Sequence, residues 1–165
     1  MTSGLETLIT PELEALKGQW RETTSSPPIA ASDIRRWAIA TWWPQTPPPL
    51  HWDEAYAATT RWGGIIAPPD FNPFAWPIVR IPLAPLPSPK GVKLTSLNGG
   101  QTERYGVPQR PGDVIAERVR VQDFRERQGR FGLMLYVDVE TEWTNQDAAP
   151  VRSRISTFIR YRGHR

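Results

Sequence analysis

The 165-residue sequence has no cysteine and only two histidines, His51 and His164. The first lack excludes disulfides, thiolate metal sites and cysteine nucleophiles, and the second leaves too few imidazoles for a histidine-rich metal cluster. No apolar run reaches the roughly 18 residues that a membrane-spanning helix needs. Met1 to Thr10 shows no basic stretch leading into an apolar one, the pattern of a secretory signal. These gaps lead us to expect a soluble, cytoplasmic protein with no metal and no membrane contact. The length suits a single domain spanning 1–165, with 1–9 and 163–165 frayed.

Two residue types are in excess instead. There are 18 prolines and 8 tryptophans. Fourteen of the prolines fall between Pro27 and Pro89, and seven of the tryptophans precede residue 77. Disordered proline-rich chains are poor in aromatics. Here Trp37, Trp42, Trp43, Trp52, Trp62, Phe71, Phe74 and Trp76 are interleaved with the prolines, so the segment must bury rings against its own sheet or a partner. Residues 68–91 read as an irregular proline-rich excursion.

Charge is uneven. Residues 1–100 carry eight basic and eight acidic groups, and 101–165 carry twelve and nine. Arg152, Arg154, Arg160, Arg162 and Arg165 close the chain with no acid among the last fifteen residues. A basic patch of this kind suits nucleic acid, a phosphate-bearing ligand or an acidic partner, or is simply a solvated strand face. Nucleic acid is not expected, because acids on the adjacent strand match the arginines and the aromatics lie in the neutral half.

Capping and periodicity place the elements. Thr10-Pro11-Glu12 opens a short helix that Gly18 stops. Ser25 to Ala31 reads as a loop. Ser32 and Asp33 start a second helix that ends by Trp43, ahead of Pro44 and Pro47-Pro48-Pro49. Asp53 opens a third, from Glu54 to about Trp62. Strands follow at Val92–Asn98, Thr102–Tyr105, Val114–Asp123 and Phe131–Trp143. In the last of these Leu133, Leu135, Val137 and Val139 share one face and Asp138, Glu140 and Glu142 the other. Val151, Ile155, Ile159 and Tyr161 then alternate with Arg152, Arg154, Arg160 and Arg162, which suggests ion pairs with the acidic row across the sheet. Helices first and antiparallel strands afterwards make an α+β pattern.

Several segments, taken in order, resemble the MaoC-like hydratases, and within them the N-terminal, or FAS1-like, dehydratase domain. They are Leu50-His51-Trp52-Asp53-Glu54-Ala55-Tyr56-Ala57, Trp62 to Pro69, Leu97 to Gln101, Pro111-Gly112-Asp113 and Val139 to Asp147. The resemblance covers about residues 8 to 162. It implies a hot-dog fold, an antiparallel sheet wrapped around a central helix. It also implies reversible hydration of an enoyl thioester carried on coenzyme A or an acyl carrier, with no further cofactor.

The family's chemistry uses an aspartate and a histidine separated by four residues, which hold water and move a proton to the α-carbon. A backbone N–H near the end of the central helix polarises the thioester carbonyl. In this sequence His51 matches the histidine, but Thr46 stands at the aspartate position. A hydroxyl can hold water but does not accept a proton near neutral pH. Pro68-Pro69 stands where histidine-glycine is usual, and proline has no N–H to donate.

His51, with Asp53 and Thr46, therefore forms the candidate catalytic set, although His51 equally suits a loop anchor and Asp53 a helix N-cap. Trp43, Trp52, Asp70 and Trp76 are candidate substrate contacts; the C-terminal arginines are candidates for phosphate binding, none assigned individually. The pattern matches the half of double-hot-dog relatives that lacks the machinery. That implies a channel-shaping subunit, either a homodimer or paired with a second hot-dog subunit. The alternative is a non-catalytic structural or acyl-CoA-binding protein.

Overall fold

Alternating residues in the second half of the chain build four long strands, Leu94–Tyr105 (β2), Ala116–Gly129 (β3), Gly132–Thr144 (β4) and Pro150–Arg162 (β5). With a two-residue strand at Thr24–Ser25 (β1), they form one antiparallel sheet in the order β1-β3-β4-β5-β2. The computed structural model describes residues 7–75 and 85–162. The helices are Pro11–Leu16 (α1), Ala31–Trp42 (α2) and Glu54–Thr59 (α3), with a single 3-10 turn at Pro49–His51. This is the expected α+β hot-dog arrangement. Among the described residues no helix is long and apolar enough to cross a membrane.

Several boundaries differ from expectation, and the strand expected to end at Asp123 runs on to Gly129. The two strands expected at either side of Gly99-Gly100 are one, because a bulge between Asn98 and Gln101 absorbs the glycines. The loop expected from Ser25 begins inside β1. The third helix closes at Thr59 rather than near Trp62. Its last carbonyls are taken by threonine hydroxyls, Thr59 Oγ1 donating to Tyr56 O at 2.7 Å and Thr60 Oγ1 to Ala57 O at 2.8 Å. Such local side-chain bonds compete with helix continuation.

The register of β4 determines which residues face inward. Leu135 and Val137 are fully buried, and together with Leu8, Leu13 and Val121 they form one core cluster, under α1. Trp143 joins Ile34 of α2, Ala57 of α3, Ile65, Ala67, Phe71, Ile115 and Val151 in a second. The acidic row Asp138, Glu140 and Glu142 lies on the other face. It pairs not with β5, as expected, but with Arg125, Arg120 and Arg118 of β3, at 2.7, 2.6 and 2.6 Å.

The β5 arginines sit elsewhere because the ladder places Arg152 opposite Trp143 and Arg160 opposite Leu135, on the inward face. Arg152 and Arg154 meet Glu103 of β2, at 2.5 and 3.0 Å. Arg160 is buried and donates to Pro87 O, Leu86 O and Ser88 Oγ at 2.6, 3.1 and 2.7 Å, fastening part of the proline-rich segment to the sheet.

Replacing Arg160 by methionine keeps the bulk but strands two carbonyls, and should cost on the order of 2–3 kcal/mol in urea unfolding. Arg36→Ala, which breaks an exposed helical pair of 3.8 Å with Asp33, should change stability by less than about 0.5 kcal/mol.

Candidate functional site

The segment that follows β2 runs back across the loop leaving α3, and the two are stitched together by backbone and amide bonds. Ala67 N–H donates to Gln109 O at 2.8 Å, Gln109 Nε2 to Phe71 O at 3.2 Å and Arg110 Nη2 to Trp62 O at 2.7 Å. Gly106 N–H donates to Val151 O at 2.9 Å, and a Cβ on Gly106 would lie 2.0 Å from Pro150 O. Only glycine allows strand β5 this close.

Between these segments lies a part-open cavity of about 370 Å³. Its wall is mostly apolar, with Leu50, Trp62, Ile66, Pro68, Val107 and Val151 prominent. Among the described residues the polar side chains in its lining are His51, Tyr105, Gln109 and Arg152, and no carboxylate lines it. A predominantly apolar hollow with a few placed polar groups is the usual form of a small-molecule site.

His51 is delivered to the cavity by the 3-10 turn and is only 6% exposed. Its Nδ1 lies 2.7 Å from Ile66 O. A carbonyl only accepts, so Nδ1 carries a proton and donates, which leaves Nε2 as the one ring nitrogen that can accept. The Trp42 ring packs against the imidazole at 5.5 Å between centroids. Thus the histidine is both an anchor for the loop and a potential acceptor in the cavity.

The other candidates are dispersed. Asp53 caps α3, its Oδ1 accepting from Tyr56 N–H at 3.0 Å. Thr46 is exposed on the loop before the 3-10 turn. Neither lines the cavity with His51. Trp43 is 76% exposed and lies outside it. Trp52 donates from Nε1 to Pro47 O at 3.0 Å and opens onto a separate groove beside Ser32, Arg35 and Ile39 of α2. Asp70 is exposed just beyond Pro69, which does line the cavity. Trp76 lies outside the described residues.

Sequence reasoning missed Tyr105, Gln109 and Arg152 as cavity residues. For Arg152 the signal was present in the arginine row, but its face is set by its pairing with Trp143 across the ladder. Arg152 Nη2 and the Tyr105 hydroxyl both donate to Glu103, each at 2.5 Å. Burial pushes the Glu103 carboxyl up, but the Tyr105 hydroxyl, Arg152 and Arg154 together hold it below the ordinary value. The bond to Glu103 raises the Tyr105 phenol, so the ring stays neutral. On the same inward face, Glu117 is raised, first by burial.

The hot-dog sheet and an apolar cavity lined, among the described residues, by one histidine fit the MaoC-like hydratase/dehydratase class. Residues 15–154 match the FAS1-like, dehydratase domain region, and the chain belongs to that family. No curated protein matches it in sequence.

Among solved structures, the ChsH1-ChsH2 complex from Mycobacterium tuberculosis is similar with a TM-score of 0.69 and 16% identity, covering 93% of this chain and 91% of that one. The MaoC-like dehydratase from Rhodospirillum rubrum gives 0.57 and 18%, covering 87% and 93%. The C-terminally truncated HadBC (3R-hydroxyacyl-ACP dehydratase) complex from M. tuberculosis gives 0.57 and 18%, covering 87% and 96%. At these identities the likeness is one of fold.

Two measurements check the local chemistry. His51→Ala leaves the buried Ile66 carbonyl without a donor and should cost about 1–3 kcal/mol; His51→Asn, whose amide N–H falls near the Nδ1 position, should lose clearly less. For Glu103, a folded-state pKa below the unfolded value stabilises the fold above the unfolded pKa, and this is lost as pH falls through the folded one. Glu103→Gln should therefore destabilise the protein at neutral pH, and the difference from wild type should shrink below about pH 4.

Proposed function

We propose that the chain is a subunit of an enoyl-thioester hydratase or 3-hydroxyacyl-thioester dehydratase, shaping the acyl-binding cavity while a homologous hot-dog subunit carries most of the catalysis. The observation that carries this reading is the make-up of the cavity wall, which among the described residues has one imidazole and no carboxylate. Adding water across an enoyl thioester needs a group to take a proton from water and one to deliver a proton to the α-carbon. His51 offers one acceptor, Nε2, because Nδ1 is committed to Ile66 O. Pro68 and Pro69, at the cavity edge, have no N–H for a developing oxyanion.

A second subunit has a place to dock. β2 forms a sheet edge, and all but Leu94 and Glu103 of its twelve residues are exposed, Leu97 among them. Long open edges of this kind are normally paired or covered. Two of the fold relatives are themselves complexes, of ChsH1 with ChsH2 and of HadBC. The substrate would be an acyl thioester of coenzyme A or of an acyl carrier, with no other cofactor required.

The purified chain alone should hydrate crotonyl-CoA slowly or not at all, followed by loss of the enoyl absorbance. Adding a hot-dog subunit with an intact Asp-x4-His pair should raise turnover by at least about a hundredfold, the scale of general acid–base catalysis. Robust turnover by the chain alone, abolished in His51→Ala, would falsify the division of labour.

A further inference from the structure

We infer that Arg152 makes the cavity selective for acyl groups that end in a carboxylate. The inference rests on the reading of the cavity as an acyl site and adds the class of acyl group. Arginine carries five N–H donors and no acceptor. Among the described residues Arg152 meets one acceptor, Glu103, through Nη2 at 2.5 Å. Its Nε is buried without a partner, and the side chain as a whole is 11% exposed. The remaining donors belong to a residue that lines an otherwise apolar cavity.

The guanidinium is also held still. It lies 5.1 Å from the Trp143 ring and 5.4 Å from the Tyr105 ring, and Tyr105 is tied to the same carboxylate. A fixed guanidinium loses little freedom when it binds, so a ligand acceptor gains most of the bond it makes. An all-hydrocarbon acyl chain would strip water from the guanidinium and return no acceptor, which disfavours it. A carboxylate at the chain end supplies a charge-assisted acceptor. Arg154 shares the Glu103 carboxylate at 3.0 Å, so two guanidinium groups lean on one acid. The cavity volume of about 370 Å³ equals the liquid volume of about twelve water-sized groups, enough for a medium-length chain with a polar end.

The test titrates the full chain with octanoyl-CoA and with suberyl-CoA, its counterpart of equal length ending in a carboxylate, by isothermal calorimetry. Suberyl-CoA should bind at least about tenfold more tightly. Arg152→Met should erase that preference, weakening suberyl-CoA and, by removing the desolvation penalty on a hydrocarbon chain, tightening octanoyl-CoA. Arg152→Lys, which keeps the charge beside Glu103 but loses the fork, should retain part of it. Arg154→Met, which leaves the Glu103 carboxylate to Arg152 alone, should weaken the preference without erasing it. Binding of octanoyl-CoA with no preference, or a preference that survives Arg152→Met, overturns this inference alone. Failure of both thioesters to bind a chain that circular dichroism shows to be folded overturns the acyl-site reading with it.

Discussion

The antiparallel register of β4 between β3 and β5 is the constraint on which the rest depends. Side chains in a strand alternate between faces, so a slip of one residue would exchange the two faces entirely. In the observed register Leu135, Val137 and Trp143 turn inward and Asp138, Glu140 and Glu142 turn outward. The apolar inward set gives α1, α2 and α3 something to pack against. The outward acids meet arginines of β3, two of which also lie over the Trp20 ring at 4.2 Å. Exposed pairs of this sort contribute little each; what they do is make the alternative register expensive.

The same register places polar residues on the inward face of β5 and β2, which is where the functional reading arises. Arg152 and Arg154 stand opposite Trp143 and Thr141, and Glu103 and Tyr105 stand opposite Arg154 and Arg152 in turn. The sheet interior thus changes from hydrocarbon under α1 to a cation-bearing wall near the cavity. The close approach of Gly106 to Pro150 brings that wall within reach of His51. With α3 only six residues long, the cavity is framed by loops rather than by a long helix, and the prolines supply their rigidity.

Much of this was legible beforehand, for identifiable reasons. Thr10 and Asp53 are N-caps because their side chains satisfy helix N–H groups locally. The strong alternation in Leu133–Trp143 reads as a strand at sight, and the ordered motifs led to the right family. His51 was singled out and does reach the cavity. What misled were residues whose neighbours in space are remote in sequence. Thr46, Trp43 and Trp52 lie close to His51 along the chain, yet the turn at Pro49–His51 sends them to solvent or to another groove. Arg152 and Gln109 are about a hundred and about sixty residues from His51, and nothing local announces that they share a wall with it.

Capping residues and alternating strands determined the α+β pattern by themselves, because capping and periodicity act over a few residues, while the family followed from the resemblance of the ordered motifs. Which way the β5 arginines face, what His51 binds and which side chains enclose the cavity were decided only in the tertiary structure. Those outcomes depend on the register in which β5 pairs with β4 and on contacts between segments brought together by folding, and no local rule of sequence encodes either.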